Sequence, residues 1–415
     1  MEKLLFITPE LPFPPHSGGK LKSLKLLHAL AERYEITLAC PLKGDDAAHL
    51  KAFHAVSPCA RHLHASLDVP RSASSLVASY ARSWPLNVHR TFHRELASQI
   101  DAIAGQFDVI LMDHYEVFSY LPDAFEGLTI YHAHNAYHKI WARYASLPGN
   151  PAVRAAAWAE ARRVRSYEAR VARKSDLVFA APNDAAELMA CGVDGSNIRD
   201  TYHLGDDRQL DLPDLQFLHT AKKLMYVGSL GWEPNAQGLL WFIREVWPQL
   251  LTRHPDLEFD IVGKGASEDL RTAVEHQPGI RLRGFVDDLQ VIYRECRVSV
   301  APLQFGSGMK VKVLDAMARG MPTVTTAVGA EGIAAEHGHH LMISRDAVSM
   351  AEHVSLLLDD QALWDRLQVK SRDLVRKHYT WQQLFNNMHR EIRLALEDFT
   401  IVPDSEVNSG LSHVS

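Results

Sequence analysis

Phe305-Gly306-Ser307-Gly308-Met309-Lys310-Val311-Lys312-Val313-Leu314-Asp315-Ala316-Met317-Ala318-Arg319-Gly320-Met321-Pro322-Thr323-Val324-Thr325-Thr326 reads as a glycine-rich loop, a short helix and a buried strand in series. The loop has little side chain, so its backbone N–H groups are open to a ligand. Lys310 and Lys312 fall where the helix starts. Val311, Leu314 and Ala318 give that helix an apolar face, and Gly320 and Pro322 stop it. A glycine loop feeding a helix N-terminus is a ready anion site, and two lysines raise the local positive potential. The expected anion is a phosphate or diphosphate. The plainer alternative is an ordinary loop–helix–strand unit, with Lys312 and Asp315 pairing at i,i+3 on the helix surface.

Similar units recur along the chain. Apolar β-rich runs at 4–8, 36–40, 108–112, 129–134 and 177–181 alternate with helical patterns, one of them a long helix over 137–174. A second set lies at 223–228, 258–262, 280–284, 298–301 and 323–326. Strands alternating with helices imply parallel sheets covered on both faces. The expected organisation is α/β, with a Rossmann-like domain over 1–205, a polar linker over 206–221, a second such domain over 222–380, a closing helix over 381–400 and a frayed tail over 401–415.

The chain has 415 residues, 47% of them hydrophobic and 23% charged, which places it among globular proteins with real cores. A net charge of −6 argues against general nucleic-acid binding. Residues 1–205 carry about 22 basic and 21 acidic side chains, so the acidic excess lies in the second half. Cys40, Cys59, Cys191 and Cys296 are scattered and suggest neither a disulfide framework nor a zinc site. His132, His134 and His138 form the densest histidine group. With no cysteine or carboxylate close in sequence, no metal is expected there. No signal peptide and no apolar run of ~20 residues stand out, so the expected location is cytoplasmic. Arg154, Arg162, Arg163, Arg165, Arg170, Arg173 and Lys174 form the one dense basic run. It suits either peripheral contact with the cytoplasmic face of the inner membrane or a solvated helix face diluted by Glu160 and Glu168.

The glycine loop followed by Asp315-Ala316-Met317-Ala318 resembles the donor-binding segment of the retaining glycosyltransferases of family 4, also called group 1. Members usually carry Glu, seven residues, then Glu-Ala-Met-Ala. Here Asp315 stands for the second acid, and Ser307 stands where the first would be. The resemblance implies a GT-B fold, two facing Rossmann-like domains with a cleft between them. It also implies a nucleotide-sugar donor, a glycan or lipid-linked acceptor, and no cofactor or metal.

Carried over residue by residue, the resemblance puts Asp315 on the nucleotide ribose and Gly18-Gly19 near the donor phosphates and reacting sugar. It puts His134 near that sugar as the catalytic candidate, with His132 directed to another face and His132 and His138 both left as structural or surface residues. Phe285 falls beside the base. Ser229 and Asn235 stand near positions where the family usually has the arginine and lysine that contact the diphosphate. Lys310 and Lys312 can resupply that charge, with Ser307, Gly308 and Met309 completing the donor loop. Two other classes stay open: an epimerase acting on a nucleotide-sugar, and a non-catalytic partner in polysaccharide assembly.

Overall fold

The computed structural model describes the chain except for residues 16–17, 68–71, 147–149, 203, 307 and 402–415. It divides into two units, Met1–Thr201 with Phe385–Ser415, and Tyr202–Leu384.

The first unit holds a seven-stranded parallel sheet ordered β3-β2-β1-β4-β5-β6-β7. Its strands are β1 (Lys3–Ile7), β2 (Glu35–Leu42), β3 (Arg61–Ser66), β4 (Val109–Asp113), β5 (Leu128–His132), β6 (Leu177–Ala180) and β7 (Ile198–Asp200). The central strands are continuous apolar runs because both faces are covered. Leu5, Ile7, Ile110 and Met112 pack on one face with Leu96 and Ile100. Tyr131 and Val178, in register with Met112, continue the same face and pack there with Val164, Tyr167 and Val171 of the Pro151–Lys174 helix.

That helix starts where Asn150 accepts from the Ala152 amide at 2.8 Å and Pro151 takes the first helical position. The expected single helix over 137–174 is two, Tyr137–Ser146 and Pro151–Lys174, which pack against each other. Pro148 and Pro151, with Gly149 and Asn150 between them, carry the signal for that interruption.

The second unit holds a six-stranded parallel sheet ordered β10-β9-β8-β11-β12-β13. Its strands are β8 (Lys223–Val227), β9 (Glu258–Val262), β10 (Ile280–Gly284), β11 (Val298–Ala301), β12 (Thr323–Thr326) and β13 (Met342–Ser344). Tyr226, Phe242, Trp247 and Phe259 anchor its core. The opening sequence folds as read: a loop, the Val311–Arg319 helix, then β12. Gly320 closes the helix at φ +74°, and the Met321 amide returns to the Ala316 carbonyl at 2.8 Å.

Residues 206–221 lie on the second unit through side-chain and backbone hydrogen bonds. Arg372 donates to the Leu210 and Leu212 carbonyls at 2.6 and 3.1 Å, and Arg319 donates to the Pro213 carbonyl at 2.9 Å. The Trp381–Ile401 helix leaves the second unit after Leu384 and continues in the first. Trp381 and Leu384 are buried, while Phe385 is half-buried. No helix among the described residues is long and apolar enough to cross a membrane.

Candidate functional site

Ligands of open parallel sheets bind beyond the strand carboxyl ends, where the strand order reverses. In the second unit that point lies between β8 and β11. Gly228 and Ser229 follow β8, and the loop to Lys310 follows β11.

Lys312, in the first turn of the Val311–Arg319 helix, crosses the space between these loops. Its Nζ donates to Tyr226 Oη at 2.8 Å and to Asn235 Oδ1 at 2.5 Å. Asn235 Nδ2 in turn donates to the Ser229 carbonyl at 2.7 Å. A Cβ on Gly228 would stand 3.0 Å from Lys312 Nζ, so the missing side chain makes room for the ammonium. Burial, and then the like charge of Lys310, lower Lys312 to about 7. Among the described residues no carboxylate pairs with it. A neutral-lined cation beside an N-terminal helix turn suits an incoming anion.

Lys310 takes a different place. Its Nζ folds back onto the Gly308 carbonyl and stands 3.6 Å from Glu331 Oε2. The side chain is buried and braces the loop, where Gly306 and Gly308 take φ of +150° and +73°. Met309 is buried beneath the same loop, Ser229 is exposed, and Ser307 lies outside the described residues.

Asp315 is half-buried, and its Oδ1 accepts the Asp206 amide at 2.8 Å instead of pairing with Lys312. Burial raises it to about 6, opposed by that hydrogen bond. The expected ribose contact would share this carboxylate with the Gly205–Asp206 backbone. Phe285 follows β10, is 61% exposed, and lies under Lys264 Nζ at 4.1 Å. Asp288 caps the Leu289–Glu295 helix, its Oδ1 accepting the Gln290 amide at 2.9 Å.

In the first unit the order reverses between β1 and β4. Gly18 and Gly19 open the Gly18–Ala31 helix after β1, and Asp113 ends β4. One turn into the helix, Ser23 Oγ lies 3.1 Å from the Gly19 carbonyl and 2.5 Å from Asp113 Oδ2. On the other carboxylate oxygen, His132 Nδ1 stands at 2.7 Å and His134 Nε2 at 2.6 Å.

This corrects the sequence reading of His132. Residues two apart on an extended chain share a face, so His132 and His134 meet the same carboxylate. His138 takes the structural one of its two expected roles: it is buried, with Nδ1 2.7 Å from Glu168 Oε2. Both acids of the long helix are buried: Glu160 accepts the Leu86 amide and pairs with Arg163 at 2.7 Å, which dilutes the basic run at that point, while Glu168 accepts the Tyr137 amide and faces His138.

A carboxylate does complete the histidine group, since ligand atoms of Asp113, His132 and His134 lie within 4.8 Å of one another. The group that opposes a dication there is Lys22. Its ammonium is buried in the field of Asp113 and Asp184, without a hydrogen-bond partner among the described residues. Burial lowers Lys22 to about 8, against the pull of the two acids, so it remains a cation at neutral pH. Burial pushes Asp113 up, but the charge and hydrogen bonds of His134 and His132 outweigh it and hold the acid well below its usual range. Burial lowers both imidazoles to about 4. Neutral rings facing an ionised acid must each present N–H, which assigns the protons to His132 Nδ1 and His134 Nε2.

His134 itself is only 2% exposed. His114 stacks on it at 3.8 Å between centroids and is half-buried, so His114 is the ring of this stack that reaches the surface. It takes φ +94°, a region costly for a side chain larger than glycine and found mostly at functional sites. Sequence reading missed Lys22, Asp113 and His114. The Asp-His pair at the end of an apolar run was the available signal.

With this geometry in place, the similarities to known proteins fall on the same elements. Residues 221–360 match the family described as Glycosyl transferases group 1. That segment contains Tyr226, Gly228, Asn235 and the whole opening sequence. A protein from Klebsiella pneumoniae described as an uncharacterized 44.6 kDa protein in the cps region is 29% identical over 175 residues. The match spans 40% of this chain and 45%, less than half, of that relative.

Solved structures align over nearly the full length. HepE of Anabaena in complex with UDP has a TM-score of 0.66 at 12% identity, covering 94% of this chain and 100% of that one. Sucrose-phosphate synthase from Thermosynechococcus elongatus has a TM-score of 0.65 at 17% identity, covering 96% of this chain and 100% of that one. The fold is α/β of GT-B type, two Rossmann-like units in one chain.

Proposed function

We propose that this chain is a retaining glycosyltransferase of family 4. It moves a sugar from a nucleotide-sugar to a glycan or lipid-linked acceptor in surface polysaccharide synthesis. The observation that carries the reading is Lys312, an ammonium whose partners among the described residues are neutral, at the reversal point of the second sheet. Glycosidic cleavage leaves a nucleoside diphosphate whose charge grows in the transition state. A cation fixed in advance at that point stabilises it without reorganisation. In this scheme Lys312 serves the diphosphate where the resembling family uses an arginine and a lysine. Lys310, Gly308 and Met309 shape the loop, Phe285 lies towards the base, and Asp315 holds the ribose or the chain that would otherwise cover it. The first unit supplies the acceptor side, with Gly18 and Gly19 serving the donor phosphates and reacting sugar and the Asp113 cluster holding His134 for that sugar. The matched group 1 segment, the solved neighbour holding UDP and the relative from a cps region support this reading. Retention is taken from the family resemblance and involves same-face attack without a protein nucleophile.

Titration with UDP tests the site. An anion that raises Lys312 above its free value of about 7 binds best below that pH. Affinity then falls on raising the pH from about 7 to about 9, by at most about tenfold per unit. Lys312→Met is expected to weaken binding and flatten the profile. A folded Lys312→Met protein with wild-type affinity and profile would remove the diphosphate role. The reaction is tested by release of UDP from a panel of UDP-sugars with glycolipid acceptors. Conversion of the donor sugar without acceptor would favour an epimerase instead.

A further inference from the structure

The basic run of the Pro151–Lys174 helix is not an evenly solvated face. Trp158, Arg162, Arg165, Ala169 and Arg173 recur at steps of three and four, which puts them on one side of the helix. With Lys139 of the neighbouring helix and the turn at Cys191, they line a groove of about 670 Å³.

Its floor is small, since Ala161 and Ala169 are buried there. Its walls are charged. Arg165 donates to Cys191 Sγ at 3.1 Å and to the Ala190 carbonyl at 3.2 Å, and Arg173 donates to the Cys191 carbonyl at 3.5 Å. Arg162 lies 4.8 Å over the ring of Trp158, which is 56% exposed. Among the described residues none of these three guanidinium groups has a carboxylate partner. Glu187, the one acid in the lining, is taken by Lys139 at 2.5 Å and approached by His138 at 3.5 Å.

We propose that this groove binds an anionic oligosaccharide, a chain of acidic sugars bearing carboxylates. Arg162 to Arg173 span roughly 16 Å of helix, enough for a chain of about three rings. Guanidinium groups match carboxylates in a planar, two-pronged fashion, and an exposed indole offers a flat face to a sugar ring. A bilayer needs a broad apolar ridge on the docking face. Here the floor is two alanines and the walls are cations. The proposal deepens the glycosyltransferase reading by giving its acceptor a chemical class, and depends on that reading only for the word acceptor.

The test is titration calorimetry of the full chain with tetragalacturonate. Parallel titrations use maltotetraose for uncharged rings, tetraglutamate for charge without rings, and phosphatidylglycerol vesicles for a lipid surface. The expected result is binding of tetragalacturonate that weakens severalfold between about 50 and about 300 mM salt. It should weaken at least about tenfold in the Arg165→Gln, Arg173→Gln double variant, the scale of losing one charge-assisted pair. Trp158→Ala should weaken tetragalacturonate binding further than it weakens tetraglutamate binding.

No binding, undiminished binding by the double variant, equal affinity for tetraglutamate or maltotetraose, or preference for vesicles would each overturn the proposal. UDP is titrated into the same samples. Loss of UDP binding in the wild type counts against the nucleotide site, while the tetragalacturonate arm still judges the groove.

Discussion

Asp113 concentrates more interactions on one side chain than any other residue of the first unit's candidate site. It holds Ser23, His132 and His134 at once, with the buried Lys22 ammonium in its field. Such a carboxylate fixes ring orientation and tautomer, so its neighbours inherit their chemistry from it. His134 donates to Asp113 beneath His114, and each ring makes a separable prediction. His134→Gln keeps an N–H for Asp113 and should keep the fold, while sugar transfer slows by ~10²-fold if the ring acts on the reacting sugar. His132→Gln should stay active. His114→Ala should lose transfer with near-normal stability, because the ring is half-buried and alanine keeps the Cβ, leaving the backbone strain as it was. Transfer rates beside thermal midpoints decide it. Wild-type transfer by His114→Ala and His134→Gln together would leave the stack as a turn-closing structure.

The elements around the second site interlock through glycines. A Cβ on Gly263 would stand 1.8 Å from the Gly228 carbonyl oxygen, and its φ is +152°. Backbone cannot yield as a side-chain tip does. Gly263→Ala should therefore cost about 1–3 kcal/mol and lower the midpoint of thermal unfolding. Gly18 is the contrasting case, with nothing among the described residues within 4 Å of an added Cβ. Gly18→Ala should leave stability intact or improved, so any loss of UDP-sugar turnover would report a ligand approaching that backbone. Unaltered turnover would make Gly18 an ordinary helix start.

The same elements show what the sequence made readable. The central strands and the 305–326 unit stand out because burial on both faces writes continuous apolar runs. β3, β7 and β13 do not: β7 and β13 have three residues each, and in β3 Arg61-His62-Leu63-His64 alternates polar with apolar at the end of its sheet. Lys312 was legible from its place after a glycine loop. Its partners Tyr226 and Asn235 were not, since they lie 86 and 77 residues away and meet it only through the order of strands. Asp113 escaped for the same reason, with 19 residues separating it from His132.

Across the whole molecule, the chain passes from one unit to the other at Thr201 and returns within the Trp381–Ile401 helix. The last helix completes the first unit's core: Met388 and Ile392 are buried, His389 reaches the Ala29 carbonyl at 3.1 Å, and Glu391 pairs with Arg199 at 2.7 Å. Ending the chain after Leu384 removes these groups from the first unit alone. Two buried aliphatic side chains carry about 2–5 kcal/mol each, enough to unfold a marginal domain. Calorimetry of the shortened chain should show the first unit's transition lowered or lost and the second unit's retained. A single transition shifted as a whole would mean that the two units unfold as one cooperative body.

The four thiols differ in chemical accessibility. Cys40 and Cys296 are buried, and burial pushes both thiols up, Cys296 to about 12. Cys59 is half-buried and raised to about 11 by the same cause. Cys191 is half-buried as well, but its sulfur lies beside the Arg165 guanidinium on the wall of the basic groove. Thiolate, not thiol, attacks an alkylating reagent, so a short exposure to iodoacetamide should label Cys191 ahead of the other three. Peptide mass spectrometry would read the order directly. The native chain thus carries its own attachment point for a fluorophore, and occupancy of the groove can be followed as a change in labelling rate or emission without altering a residue.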